Sequence, residues 1–215
     1  MCTLWIARHG NRQDFVDPDW AARAERPHDP GLSPDGVAQA QQLGNRLADE
    51  RASIDRVIAS PFLRTIQTAH HVAEQTDHPI HLEPGLSEWR NPHWYSEAPT
   101  LLPPKVIQET FARVRFDHDV CGEATYPETR EAALERIAIA GRCLANRYAD
   151  ESLLLVGHGI TVWGLLRGFL GDVEDTGCPL ASLTQLVYDD GQWHLRRRND
   201  VSHLEEGAKG AGQFA

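Results

Sequence analysis

Cysteines and long apolar runs are scarce in this chain of 215 residues. The four cysteines are widely scattered and lack the paired spacing of a metal site: Cys2, Cys121, Cys143 and Cys178. A disulfide framework is not expected at this size, and the pattern favours a reducing compartment. No apolar window approaches the length of a membrane span, and the apolar stretch at the N-terminus is too short for a signal peptide. We therefore expect a cytoplasmic protein with no membrane partner.

Positive charge is also in short supply. The chain has 21 basic residues against 31 acidic ones, which gives a formal net charge of -10. Proteins that bind nucleic acid or anionic membranes in a general way need a basic face, so neither partner is expected. The basic run at 196–198 is the local exception, and it is typical of the solvated end of a strand. The hydrophobic share of 41% is ordinary for a soluble globular protein.

No internal repeat and no linker divides the sequence. Residues 1–203 are therefore predicted to form one domain, and the Gly- and Ala-rich residues 204–215 a flexible tail. Apolar strand-like runs alternate with amphipathic helix-like segments, which predicts a three-layer α/β/α sandwich around a mostly parallel central sheet. Strands are predicted at 4–7, 56–59, 80–82 and 152–156, and a hairpin of two strands at 183–188 and 193–197. Helices are predicted at 34–50, 105–111, 127–148 and 161–170, and a further helix begins at 60. Loops are predicted at 13–30, 91–104 and 116–126.

The first strand leads directly into a cluster of polar side chains, Arg8-His9-Gly10-Asn11-Arg12. Ligands of open α/β sheets bind at the carboxyl ends of the strands, where this cluster lies. An imidazole between two guanidinium groups is held neutral, because like charges disfavour its protonation, and a neutral imidazole is a nucleophile. Arginine binds phosphate or carboxylate oxygens two at a time. The stretch predicts a nucleophilic histidine in an oxyanion site; the alternative is a surface loop with incidental charges.

Two further segments repeat this arrangement. Ser60 and Pro61 are typical of a helix start, with Ser60 as the N-cap, and this places Arg64 in the first helical turn. A cation is unfavourable at that end of a helix, whereas a bound anion is favoured there. Arg64 is therefore better explained beside a phosphate, although an arginine reaching into solvent is the alternative. The strand at 152–156 ends in a histidine between two glycines, His158.

A carboxylic acid completes the set of candidate residues. Glu88 follows the strand at 80–82 and lies in a loop beside the apolar residues Leu86 and Trp89. Such surroundings are expected to raise the pKa of a carboxyl group by desolvation. A carboxyl group that is partly protonated near neutral pH can act as a general acid.

Taken together, these motifs resemble the histidine phosphatase superfamily, which has the phosphoglycerate mutase-like fold. The resemblance covers the chain from Leu4 to about His203, and the motifs occur in the family's order. Within the superfamily, the segments 8–14 and 83–89 are similar to the branch of the T-cell-receptor-suppressor and ecdysteroid-phosphate phosphatases. Asn11 stands where that branch usually has Glu, so the identity of the substrate does not carry over. The motifs are Arg8-His9-Gly10-Asn11-Arg12, 60–69 with Arg64, Glu88 and Gly157-His158-Gly159.

The resemblance implies a phosphomonoester hydrolase acting on a small molecule. His9 would attack phosphorus and become phosphohistidine, and Glu88 would protonate the leaving oxygen and then activate water. The non-bridging oxygens would be held by Arg8, Arg12, Arg64 and His158. Three arginines offset the charge of a dianion, so neither Mg²⁺ nor Zn²⁺ nor another cofactor is expected. His158 is counted with His9 and Glu88 as a catalytic residue.

Two other functions remain open at this point. Phosphoglycerate mutase activity uses the same phosphohistidine but needs additional cations to hold a carboxylate, and the segment 89–105 is poor in cations and rich in aromatic residues. That composition favours a hydrolase of ring-bearing or apolar phosphomonoesters. A non-catalytic phosphate-binding module is the second alternative, expected if the nucleophile or the acid were missing. The sequence does not decide whether the substrate is a sugar phosphate, a nucleotide or a phosphotyrosine-like ester. It also leaves the oligomeric state open, and a homodimer is one of the possibilities.

Overall fold

The computed structural model describes residues 2–50 and 54–205. Helices and strands alternate along most of this part of the chain, and a 3₁₀ turn lies at Pro84–Leu86. The strands are β1 (Cys2–Arg8), β2 (Arg56–Ala59), β3 (Ile80–Leu82), β4 (Val114–Arg115), β5 (Leu153–Gly157), β6 (Leu183–Asp189) and β7 (Gln192–Asp200). The α-helices are α1 (Gln13–Val16), α2 (Trp20–Arg23), α3 (Pro34–Asp49), α4 (Leu63–Thr76), α5 (Pro104–Thr110), α6 (Arg130–Arg147) and α7 (Gly159–Leu170).

The strands form one sheet in the order β4-β3-β2-β5-β1-β6-β7. The pairs β1–β5, β5–β2, β2–β3 and β3–β4 are parallel, and β6 and β7 add an antiparallel hairpin at one edge. The predicted mostly parallel sheet is confirmed. Its central strand β5 is buried along its whole length, as expected for a continuous apolar run covered by helices on both faces.

Alternation along β1 shows how the three layers arise. Trp5 and Ala7 pack into the core beneath α3 and α4, whereas Leu4 and Ile6 pack into the opposite core beneath α6 and α7. Successive side chains of a strand point to opposite faces, so one apolar strand contributes to both cores. The sandwich predicted from the sequence is therefore present.

The starts of α3 and α4 differ in how they are capped. Ser33 Oγ accepts a hydrogen bond from Gly36 N at 3.2 Å, as the Ser-Pro signal predicts. The prediction that Ser60 caps α4 is wrong, because this helix begins at Leu63. Its first amide instead donates to Oδ1 of the buried Asp29 at 2.8 Å, and the Ser60 hydroxyl is hydrogen-bonded to His158.

One disulfide bond corrects the expectation drawn from the scattered cysteines. Cys121 and Cys143 are bonded, and they join the loop after β4 to α6. They are 22 positions apart in sequence, and packing of the loop against the helix brings their Cα atoms to 5.9 Å. Cys2 and Cys178 are free. The cytoplasmic location stays a prediction.

The remaining differences concern short elements and the end of the chain. The predicted loop 13–30 contains the one-turn helices α1 and α2, and β4 was not predicted because it has only two residues. No helix in the described ranges is long and apolar enough to cross a membrane. Most of the predicted tail, residues 206–215, lies outside the described residues; Leu204, at its start, is buried.

Candidate active site

The topology brings the predicted residues to one end of the sheet. His9 follows β1 and His158 follows β5, and these strands are parallel neighbours with Arg8 opposite Gly157. The two imidazole rings meet edge to face, with their centroids 5.4 Å apart. Arg64 enters from the first turn of α4, and its Nη2 lies 3.2 Å from His158 Nδ1. Glu88 Oε2 lies 3.4 Å from the same Arg64 nitrogen.

His9 has the tautomer that a nucleophile requires. Its Nδ1 lies 2.7 Å from the carbonyl oxygen of Gly10, so Nδ1 carries the proton and donates it to that oxygen. Nε2 therefore keeps its lone pair. Burial lowers the pKa of His9 well below its usual value, and the charges of Arg64 and Arg8 lower it further. The imidazole is neutral at neutral pH, as predicted.

Gly10 allows the loop after β1 to lie directly against the start of α3. A Cβ at this position would be 2.5 Å from the carbonyl oxygen of Gly36, so no larger residue fits without moving the backbone. The amide of Gly10 also donates to Thr68 Oγ1 on α4 at 3.2 Å. These contacts fix the main chain beside His9 between two helices.

Arg64 and Arg8 are desolvated cations. Arg64 is fully buried and Arg8 is 6% exposed, and burial lowers the pKa of both guanidinium groups. Within the described part of the chain, Nε and Nη1 of Arg64 and Nε of Arg8 are buried and make no hydrogen bond. Buried polar groups are normally paired, so these donors indicate a site for an anion.

His158 forms a hydrogen bond that orients the side chain of Arg64. Its Nε2 lies 2.9 Å from Ser60 Oγ, and its Nδ1 accepts from Arg64 Nη2. Burial lowers the pKa of His158 well below its usual value, with the charge of Arg64 as the next cause. The neutral ring thus orients a guanidinium group. A phosphate dianion beside it would favour a proton on Nδ1, and the ring could then donate to an oxygen.

Arg12 lies at the entrance and is held by a carboxylate. Its Nε donates to Asp14 Oδ1 at 2.9 Å and its Nη2 to the other Asp14 oxygen. The guanidinium carbon is 4.3 Å from the centre of the Phe15 ring. Burial would lower the pKa of Arg12, but the Asp14 pair outweighs it and leaves the pKa raised. Arg12 thus remains charged at the mouth of the site.

Glu88 lies beside the Arg64 cation rather than in a purely apolar pocket. Besides the contact with Arg64, its Oε2 is 3.3 Å from His158 Nδ1, and its side chain is 13% exposed. Its Oε1 accepts from the amide of Trp89 at 3.1 Å. The sequence showed the apolar neighbours, of which Leu86 is fully buried, but not the arginine, which lies 24 positions earlier.

A cavity of about 750 Å³ lies beside this cluster and reaches it through Arg8, Arg12 and Glu88. Its lining also includes the charged side chains of Asp14, Arg130, Asp175 and Arg198. Its walls include five aromatic side chains, those of Phe15, Trp89, Trp94, Tyr95 and Trp163. The aromatic segment at 89–95 was visible in the sequence, whereas Trp163 on α7 carried no signal that distinguished it from a core residue.

His9, Glu88 and His158 could in principle hold a metal ion, since one ligand atom from each lies within 4.8 Å of the others. Two imidazoles and a carboxylate are donors that suit zinc. However, Arg8 and Arg64 place two positive charges beside the same atoms. This field favours an anion over a divalent cation.

Comparisons with known proteins agree with this geometry. The family model of the histidine phosphatase superfamily (branch 1) matches residues 4–201. The mouse ubiquitin-associated and SH3 domain-containing protein A is 29% identical over 192 residues, covering 78% of this chain and 30% of its own length. The Drosophila melanogaster ecdysteroid-phosphate phosphatase is 26% identical over 241 residues, covering 89% and 31%. The chain thus spans about a third of the length of these relatives.

Other relatives match over their full length. The probable phosphoglycerate mutase GpmB of Proteus mirabilis is 27% identical over 216 residues, which is 96% of each chain. Among solved structures, the ecdysone phosphate phosphatase of Bombyx mori in complex with tungstate has a TM-score of 0.80 at 21% identity, covering 93% of each chain. That likeness shows the fold. Because the family model spans nearly the whole chain, the protein belongs to branch 1 of the histidine phosphatase superfamily.

Proposed function

We propose that this protein is a metal-independent phosphomonoester hydrolase that works through a phosphohistidine on His9. The observation that carries the proposal is the buried, neutral His9, whose Nδ1 is tied to the Gly10 carbonyl oxygen, beside arginine donors without partners. A nucleophile with a fixed tautomer and a cationic site for the phosphoryl oxygens are the two main requirements of this chemistry.

In the first step, His9 Nε2 forms a bond to phosphorus while the bond from phosphorus to the ester oxygen breaks. Glu88 gives its proton to that oxygen, and the alcohol leaves. In the second step, a water molecule attacks the phosphohistidine, Glu88 takes a proton from the water, and inorganic phosphate is released with the His9 lone pair restored.

The phosphoryl oxygens would be held by Arg8, Arg12, Arg64 and His158. Charge spreads over these oxygens in the transition state, so donors that are already in place stabilise it without reorganisation. Each charge-assisted hydrogen bond contributes about 1.5–3 kcal/mol. The same arginines offset the charge of the phosphoryl group, which supports a reaction without a metal ion.

The cavity supports esters whose alcohol part is ring-bearing or apolar. Its volume lies in the usual range for a small-molecule site, and its lining includes the aromatic side chains of Trp89, Trp94 and Trp163. Two of the similar proteins are named for ecdysteroid or ecdysone phosphates. We infer that this chain hydrolyses an ester of comparable apolar character.

The test is hydrolysis of a panel of phosphomonoesters in the presence of EDTA by the wild type and His9→Ala. We expect turnover in EDTA that is lost in His9→Ala and retained in His93→Ala, a matched control at an exposed position. Turnover that survives in His9→Ala would refute the histidine mechanism. Turnover that disappears with EDTA would refute metal independence.

The role of Glu88 is tested through the leaving group. The glutamine of Glu88→Gln cannot donate a proton. We therefore expect kcat/KM to fall more for alkyl phosphates than for 4-nitrophenyl phosphate, whose leaving group needs little protonation. Glu97→Gln is the matched control, because Glu97 is exposed in the same segment. Equal losses on both kinds of ester would contradict the assignment.

Phosphoglycerate mutase activity is the competing function, and the full-length similarity to the mutase GpmB favours it. It would need a cation for the carboxylate of the substrate. Of the other arginines around the cavity, Arg130 is paired with Asp175 at 2.7 Å. Arg198 donates to the carbonyl oxygen of Glu174, and within the described residues its Nε has no partner. Transfer of the phosphoryl group to a hydroxyl of phosphoglycerate, in preference to water, would decide for the mutase.

A further inference from the structure

A buried ion pair on the far side of the Glu88 loop has no place in the mechanism above. Arg136 of α6 pairs with Glu128, which lies just before that helix, and the two side chains are 8% and 3% exposed. We propose that Arg136, held by Glu128, is the positioning residue of the proton donor Glu88. This inference rests on the proposed function.

Arg136 binds the main chain immediately before Glu88. Its Nη1 donates to the carbonyl oxygens of Gly85 at 2.8 Å and Ser87 at 3.2 Å. Ser87 is the residue next to Glu88, so the guanidinium group fixes the peptide from which the carboxyl side chain extends. One planar cation reaching two carbonyl groups determines the orientation of the loop as well as its distance from α6.

Glu128 holds both Arg136 and the main chain that follows Glu88. Its two oxygens accept from Arg136 Nε at 2.7 Å and Nη2 at 2.8 Å. Its carbonyl oxygen accepts from Trp89 Nε1 at 2.8 Å, and its Oε2 from Arg90 N at 3.5 Å. The pair therefore forms hydrogen bonds with the main chain both before and after Glu88.

The same turn is also hydrogen-bonded to the start of α7, next to His158. Thr161 Oγ1 donates to the carbonyl oxygen of Leu86 at 2.9 Å and accepts from His158 N at 3.0 Å. The loop 85–88, called the acid loop below because it ends in Glu88, is thus held at two points. One is Arg136 on α6, and the other is Thr161 next to His158. A general acid needs such precision, because a displacement of about 1 Å can cost about 100-fold in rate.

A role in positioning also explains why the pair is charged. Burying an ion pair carries a desolvation cost, and apolar side chains of similar size often give equal or greater stability. All three guanidinium nitrogens of Arg136 have partners, and Gly85 packs so closely on α6 that a Cβ there would be 2.6 Å from the Ala140 Cβ. Packing thus sets how close the turn lies to α6, and the hydrogen bonds of Arg136 set the orientation of its carbonyl groups.

The test compares Arg136→Lys with the wild type on a series of phosphomonoesters whose leaving groups differ in pKa. Lysine keeps the charge but cannot span two carbonyl groups and a carboxylate. We expect kcat/KM, which reports the transfer of the phosphoryl group to His9, to fall about 10- to 100-fold for alkyl esters and only about 2-fold for 4-nitrophenyl phosphate. The plot of log kcat/KM against leaving-group pKa should become steeper. This slope does not depend on the fraction of folded enzyme.

The controls separate positioning from a general loss of structure. Arg142→Lys lies on the same helix at a position 46% exposed and should keep the wild-type slope. Arg136→Lys combined with Glu88→Gln should lose no more activity on alkyl esters than Glu88→Gln alone, because both changes remove the same proton transfer. Glu128→Gln, which loosens the grip on Arg136, should steepen the slope in the same direction and serves if Arg136→Lys does not fold.

Each other outcome has a definite meaning. An unchanged slope in Arg136→Lys and Glu128→Gln, or losses that add to those of Glu88→Gln, would overturn the positioning role and leave the proposed function standing. A wild type that hydrolyses no phosphomonoester, or a His9→Ala variant that keeps full activity, would overturn the proposed function and this inference with it.

Discussion

Replacing Arg64 by methionine should separate stability from activity in this protein. Arg64 is fully buried, and burial lowers the pKa of its guanidinium group. Such a charge destabilises the fold unless its partners compensate. Here, within the described residues, Nη2 has long contacts at 3.2 and 3.4 Å, Nε and Nη1 make no hydrogen bond, and Tyr95 is a further polar neighbour of the group.

The expected change in stability follows from these contacts. Removing the buried guanidinium group of Arg64 relieves its desolvation cost, which is several kcal/mol for a buried ion, but it also takes the counter-ion away from Glu88. The losses are the contact with the Phe62 ring, at 4.6 Å and worth about 0.5–2 kcal/mol, and two weak hydrogen bonds. We therefore expect the unfolding free energy of Arg64→Met to be unchanged or to rise by up to about 2 kcal/mol.

The expected change in activity has the opposite sign. Nε and Nη1 are free to bind two phosphoryl oxygens, and each such bond is worth about 1.5–3 kcal/mol. Their loss amounts to about 3–6 kcal/mol of transition-state stabilisation, or a fall in kcat/KM of about 150- to 25,000-fold. Stabilisation of the wild type by inorganic phosphate should disappear with it.

The assays are urea unfolding with and without phosphate, and kcat/KM on 4-nitrophenyl phosphate. Arg23→Met, at a position 65% exposed, is the control, and its unfolding free energy should change by less than about 0.5 kcal/mol. If Arg64→Met were destabilised by more than about 2 kcal/mol, Arg64 would be a structural residue that the fold needs. If it kept its response to phosphate, the anion site would lie elsewhere.

Three further outcomes follow from buried groups and the disulfide. The unfolding free energy should fall as the pH drops below about 6.5, by up to about 1.4 kcal/mol per pH unit for each of His9 and His158. Their lowered pKa values keep them neutral when folded, while the unfolded chain takes up protons; urea titrations that give equal stability at about pH 7.5 and about pH 5.5 would contradict this. Ser60→Ala leaves the Nε2 of His158 without its 2.9 Å partner and should cost about 1–3 kcal/mol in urea unfolding; an unchanged midpoint would show that the hydrogen bond contributes nothing. Cys143→Ser opens the bond to Cys121, which closes a loop across 22 positions, and should lower the unfolding free energy by about 3 kcal/mol; equal stability of the oxidised wild type and the variant would argue against that bond.

The sequence by itself determined the layered fold and the end of the sheet at which the site lies. A strand is predicted from a short stretch of sequence, and a buried parallel strand such as β5 is recognised by a continuous apolar run. A polar residue directly after such a strand must lie at the carboxyl edge of the sheet, whatever the rest of the chain does. His9 and His158 were located in this way, and Arg64 by its place in the first turn of a helix.

The tertiary structure decided what each of these groups touches. Asp29 caps α4 from 34 positions away, and Arg136 reaches the acid loop from 51 positions away. The disulfide likewise depends on a loop packing against α6. No local pattern encodes such contacts, because they depend on how separate elements pack. The protonation of a buried histidine and the orientation of a carboxylic acid depend on the same packing, through desolvation and the charges that it brings near. The sequence therefore specified which chemical groups the site contains, and only the folded chain fixed their charge states and directions.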